Sequence, residues 1–118
     1  RQLDNILGTE RDFTIKTIDN IRIKLNFDDV FYFESHGRYI IAHTLHGEFM
    51  TRQYRLKQIL ELFPAYFEQC HKSYIVNSSY VSIYKYDAVQ MTDGTILPIS
   101  QKYRKLMKSC LTELYRKE

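Results

Sequence analysis

From Phe13 onward the chain is dominated by short runs in which every second residue is apolar, and this pattern constrains the fold more than any other feature. Successive side chains of an extended chain point to opposite faces, so a period of two marks a strand with one face buried. Residues 20–26 (NIRIKLN) show it most cleanly, with Ile21, Ile23 and Leu25 facing one way and Arg22 and Lys24 the other. Residues 30–34 (VFYFE) form a more fully apolar run, and residues 39–45 and 48–51 flank a hairpin turn at His46-Gly47. Strand-like runs resume at 73–76, 80–84, 88–92 and 95–99, the last two joined by Asp93-Gly94, a strong hairpin dipeptide. Ten tyrosines and seven phenylalanines, with no tryptophan, favour pleated surfaces over helices.

Two segments leave that period. Leu56, Ile59, Leu60 and Phe63 fall at helical spacing and predict a short helix ended by Pro64. Tyr103, Leu106, Met107, Cys110, Leu111 and Leu114 predict a C-terminal helix with Ser100 as its N-cap. Together these features predict a mostly antiparallel β domain with one short internal helix and a C-terminal helix. Residues 1–12, polar with scattered Leu and Ile, are expected to be a linker or the end of a connecting helix, and residues 13–118 the domain.

A chain of 118 residues with 44% hydrophobic and 26% charged composition is long enough for one globular domain and too apolar for disorder. No apolar run approaches the roughly 20 residues of a membrane span, and no signal-peptide pattern opens the chain. Two cysteines 40 residues apart, Cys70 and Cys110, are too few for a disulfide scaffold, so a reduced cytoplasmic setting is expected. The net charge of +3 is unevenly spread: residues 101–118 hold six Lys/Arg against two Glu, and the rest of the chain holds 11 basic against 12 acidic residues.

Three polar tips interrupt the framework: Ser35-His36-Gly37-Arg38, Cys70-His71-Lys72-Ser73 and Ser100-Gln101-Lys102-Tyr103-Arg104. In the third, Lys102, Arg104 and Lys105 crowd the start of a helix, a positive pole where cations are unfavourable by a few tenths of a kcal/mol each. An anion docked there would reward both the free backbone N–H groups and the cations; the alternative is a solvated face opposite the apolar stripe. In the first tip, Gly37 either only supplies a turn or lets the backbone approach a surface while Arg38, suited to guanine O6/N7, reaches a base edge. In the second, Cys70 and His71 point to opposite faces of an extended chain and lack a third orienting residue, which argues against a nucleophile–base pair. Cys70 is read as a small packed residue and Cys110 as core, leaving Lys72, with His71 and Ser73, as an outward contact. His36, His43, His46 and His71 show no zinc-ligand spacing.

With these tips placed, the sequence resembles the LytTR family, the DNA-binding domains of bacterial response regulators. The resemblance rests on VFYFESHGRYIIAHT (30–44), LKQILELF (56–63), FEQCHKSYIVNSSYV (67–81) and TDGTILPISQKYRKL (92–106), in that order over nearly the whole chain from Phe13. It implies an elongated fold of about ten short β-strands whose loops enter two successive major grooves, with contacts in the minor groove between them. Sites in the family are paired direct repeats upstream of promoters, often in quorum-sensing systems. A receiver domain normally precedes this one, so residues 1–12 would be the tail of an interdomain linker. The family's base-reading positions fall on Arg38, Lys72 and Gln101, with His36, Gly37, Tyr39, Arg55, His71, Ser73, Lys102 and Arg104 as backbone-contacting or supporting residues. Gln101 stands where many relatives carry Arg; glutamine cannot make the Arg–guanine fork but can pair with adenine N6/N7.

The function expected is sequence-specific binding of double-stranded promoter DNA by the effector domain of a transcriptional regulator, with no catalysis, cofactor or metal, and with two copies pairing on tandem repeats. A protein-interaction module using aromatic strand edges is the first alternative. RNA binding lacks an RNP-like motif, and an enzyme of the Cys–His type has the least support.

Overall fold

The computed structural model describes residues 11–115, with side chains as far as Thr112. Ten strands, three short 3-10 turns and two helices follow one another among the described residues. The strands are β1 (Asp12–Lys16), β2 (Arg22–Asn26), β3 (Val30–His36), β4 (Tyr39–Thr44) and β5 (Gly47–Thr51), then, after helix α1 (Leu56–Leu62), β6 (Phe67–His71), β7 (Tyr74–Asn77), β8 (Val81–Lys85), β9 (Ala88–Met91) and β10 (Ile96–Pro98). A 3-10 turn, Gln101–Tyr103, leads into helix α2 (Arg104–Tyr115). Every strand pair is antiparallel. The mainly β architecture with an internal and a C-terminal helix is the one predicted; of the expected linker, residues 1–10 lie outside the described residues, as do the side chains of Glu113 and Leu114 and all of Arg116, Lys117 and Glu118.

A five-stranded sheet ordered β5-β4-β3-β7-β6 forms the middle layer. The β1–β2 hairpin and α1 cover one face, burying Phe13, Ile15, Leu25, Ile59 and Phe63 against Phe33, Ile40 and Ile75. The small sheet β10-β9-β8 and α2 cover the other, burying Val89, Met91, Leu97, Met107 and Leu111 against Tyr32, Cys70 and Val76. Neighbouring residues of β3 and β7 therefore face different cores, which is why VFYFE and YIV read as continuous apolar runs rather than alternating ones. In the covering hairpin, solvated on one side, the alternation is clean: Phe13 opposes Leu25 and Ile15 opposes Ile23 on the inward face.

Several local expectations are corrected. Ile21 does not join Ile23 and Leu25 inside; β2 begins at Arg22, and Ile21 sits in the turn, 54% exposed. Leu60 and Leu106 also lie outward, because only a narrow stripe of each helix meets the sheets. Ser100 has the extended backbone of an N-cap, but its side chain makes no capping bond; the helix entry is closed instead by the Tyr103 N–H donating to the Ser100 carbonyl at 2.8 Å. Residues 67–71 form a strand that period-two counting does not find. Its register slips between Gln69 and His71, so its buried residues, Phe67 and Cys70, are three apart.

Candidate nucleic-acid interface

The first two tips are two-residue hairpin turns. His36 pairs with Tyr39 across the first, leaving Gly37 and Arg38 at the apex. Gly37 has φ +62°, the left-handed value a hairpin turn with glycine at its first central position requires. Open space surrounds the position where a Cβ would stand, so backbone geometry rather than crowding demands the glycine. His71 pairs with Tyr74 across the second turn, leaving Lys72 exposed and Ser73 partly covered at its apex. The Ser73 N–H donates to His71 Nδ1 at 3.0 Å, and Gln69 Nε2 donates to the His71 carbonyl at 3.1 Å. With Nδ1 accepting, the neutral ring carries its proton on Nε2, leaving a donor for an outside acceptor.

Hydrogen bonds of the sheet place the tips beside one another. The Ser35 N–H donates to the Ser73 carbonyl at 2.8 Å, joining the bases of the first and second tips. The Ser100 N–H donates to the Cys70 carbonyl at 3.0 Å, joining the 3-10 turn of the third tip to the end of β6. Between the first two tips and the start of α1 opens a cleft of about 140 Å³. Arg38, Arg52, Arg55 and Lys72 line it together with Tyr39 and Tyr54, and no carboxylate does. Arg55 is the N-cap residue of α1, where its N–H donates to Gln58 Oε1 at 2.9 Å, so its exposed guanidinium is not used in capping.

Gln101 and Lys102 stay exposed outside the cleft, Lys102 with its ammonium 5.5 Å from the Tyr103 ring. Arg104 is more committed: its Nε donates to the Ile99 carbonyl at 3.1 Å, and its guanidinium lies 5.4 Å from the Tyr86 ring. His36 is exposed beside the first apex. Arg52, which sequence reasoning did not single out, stacks 4.9 Å over Tyr39 and donates to its hydroxyl at 3.2 Å. The available signal was the pair Arg52 and Arg55, three apart in a polar connection between a strand and a helix.

Other chemistry finds no comparable arrangement. Cys70 and His71 lie in a strand rather than a loop, and the Cys70 side chain is fully buried, its thiol pushed up to about 12 by burial. Only a thiolate is nucleophilic. Cys70 is therefore expected to resist iodoacetamide at about pH 8 in the folded protein and to react after unfolding in urea; rapid native-state labelling would restore it as a nucleophile. Cys110 is only half-buried, beside Glu68. His43 is held by Glu34 and Glu48, each at 2.9 Å, and His46 by Asp29 at 3.0 Å. No group of three or more His, Cys, Asp or Glu able to hold a metal occurs among the described residues, and no described helix is long and apolar enough to cross a membrane.

The model of one family, described as the LytTr DNA-binding domain, matches residues 20–112. The chain belongs to the LytTr family. Its fold is similar to the solved LytTr DNA-binding domain of a methyl-accepting/DNA response regulator from Bacillus cereus, with a TM-score of 0.74 and 25% identity over 86% of this chain and 97% of that one. No curated protein matches the chain. LytTr membership covers all three tips and the cleft between the first two.

Proposed function

We propose that this LytTr domain binds double-stranded DNA sequence-specifically, as the effector domain of a two-component response regulator that controls transcription. Arg38, Lys72 and Gln101 read base edges in successive major grooves, while Arg55, Ser73, Lys102, Arg104 and the His71 ring engage phosphates. Two copies occupy a pair of direct repeats at a promoter, and a receiver domain preceding β1 in the chain governs the outcome. One observation carries this reading: three polar tips are joined through backbone hydrogen bonds, and the cleft between two of them holds four cations and no carboxylate. Such a surface favours a polyanion, and Arg and Gln at turn apices suit base edges. The Bacillus cereus relative, a domain of a response regulator, supports the regulatory context.

Selection of duplexes from a random library near physiological salt tests the proposal. A short motif repeated about one helical turn, roughly 10 base pairs, apart is the expected product. With about five phosphates neutralised at the tips and the cleft, log K should fall with log[salt] at a slope of about −4 to −5 from these contacts alone. Arg38→Ala is expected to cost about 1–3 kcal/mol on the selected duplex and much less on a scrambled one. An equal loss on both would make Arg38 a phosphate contact, and no enrichment at all would sink sequence-specific reading.

A further inference from the structure

Next to the cleft, and sharing Arg52 with it, lies a larger concave surface of about 470 Å³ at the end of the β1–β2 hairpin. Lys16, Arg22 and Arg52 line it with Asn20 and Gln53, again without a carboxylate. Lys16 and Arg22 stand directly opposite each other in the β1–β2 ladder. Like charges in that position repel and weaken a hairpin. Neither residue forms an ion pair among the described residues, whereas Lys24, one step along the same outward face, lies 3.5 Å from Asp12. The hairpin thus carries an uncompensated pair of cations at the end that meets Arg52.

That end is also fixed in place. The Ile18 N–H donates to the Met50 carbonyl at 3.0 Å, the Thr51 hydroxyl to the Lys16 carbonyl at 2.7 Å, and the Lys16 N–H to Gln53 Oε1 at 2.9 Å. These bonds tie the hairpin to the end of β5 and to the connection that follows it, the segment that carries Arg52 and Arg55 into the cleft. Arg52, stacked on Tyr39, stands where the two concave surfaces meet. One continuous cationic track therefore runs from Lys72 and Arg38 through Arg52 to Lys16 and Arg22.

We infer that the β1–β2 hairpin is a second phosphate-binding surface, in which Lys16 and Arg22 take backbone phosphates of the same duplex that the tips read. This rests on the DNA-binding reading above. Duplex DNA presents one negative charge per roughly 1.7 Å of its axis, so a rigid cationic track meets several phosphates at once. Lysine supplies a point charge and arginine a fork of donors. The hairpin has no part in base recognition; it adds affinity without choosing sequence.

The double variant Lys16→Gln/Arg22→Gln, compared with the unaltered domain by anisotropy over a salt series, tests this. Losing two phosphate contacts, each about 0.7 log unit at 0.15 M salt, is expected to weaken binding about 30-fold, equally on selected and scrambled duplexes. The salt slope should become shallower by about 1.8, and the thermal midpoint should not fall, because a like-charge pair is removed. Unchanged affinity and slope would overturn the inference. So would a loss confined to the selected duplex, which would make the hairpin a base reader, or a marked drop in midpoint, which would make the pair structural. Failure of the DNA-binding reading itself is seen separately, as absence of DNA binding by the unaltered domain.

Discussion

Phe63→Ala is expected to lower the free energy of unfolding by about 3–5 kcal/mol, the cost of emptying a phenylalanine site in a packed core. Phe63 closes α1 and is met by Phe13, Phe27 and Phe33, with ring centroids at 4.7, 4.9 and 5.3 Å in edge-to-face geometry. Those partners come from β1, from the turn after β2 and from β3, so one ring joins the covering hairpin, the helix and the central sheet. No single neighbour can move into the space without leaving another contact, and rigid surroundings are what make a cavity costly. A urea titration should show a lower midpoint with an unchanged slope. On the proposed DNA-binding reading, the molecules that remain folded should keep their preference for the selected duplex, since the turns carrying Arg38 and Lys72 are set by paired rungs of the central sheet. A cost below about 1 kcal/mol would mean that the aromatic cluster collapses readily and is not close-packed.

Asn77→Ala is the second large effect, about 2–4 kcal/mol, and it acts through hydrogen bonds instead of volume. Asn77 is fully buried at the end of β7. Its Nδ2 donates to the Val30 carbonyl at 3.0 Å, and its Oδ1 accepts from the Ser79 N–H at 2.9 Å. Alanine would strand the buried Val30 carbonyl, at about 1–3 kcal/mol, and would also remove the part-buried bond to the N–H of Ser79, an exposed residue, at a smaller cost. Asn77→Asp separates the two bonds. Its carboxylate can still accept from Ser79 but would face the Val30 carbonyl oxygen, so aspartate is expected to be at least as damaging as alanine. Near-normal stability of the aspartate variant would show that the Val30 bond contributes little.

Much of this architecture is written in residue spacing, and the misses have specific causes. Half-buried ribbons announce themselves through alternation, as Phe13, Ile15, Ile23 and Leu25 do. Ile59 and Phe63, with Leu56, mark α1, and Met107 and Leu111 mark α2. Spacing could not reveal β6, because a bulge breaks its period and puts Phe67 and Cys70 on the inside three residues apart. Nor could it reveal that Leu60 and Leu106 face solvent, since both sit on the correct side of a helix but at the edge of a narrow contact. The apices of the tips were legible as Gly37-Arg38 and Lys72-Ser73. Their assembly was not, because it depends on strand order: β3 lies between β4 and β7, which sets Ser35 against Ser73. Arg52 and the opposed pair Lys16 and Arg22 stayed hidden for the same reason, as neighbours only in three dimensions.

The two-residue turns carrying Arg38 and Lys72 have a consequence for how such domains diversify. Each apex is bracketed by a paired rung, His36 with Tyr39 and His71 with Tyr74, so the backbone course is decided before the apex side chain is chosen. Arg38 and Lys72 are solvent-facing and can be exchanged with almost no penalty in folding, as type can be changed in a locked printing frame. On the proposed base-reading role of Arg38 and Lys72, new target preferences are then reachable by single codon changes, without compensating changes in the core.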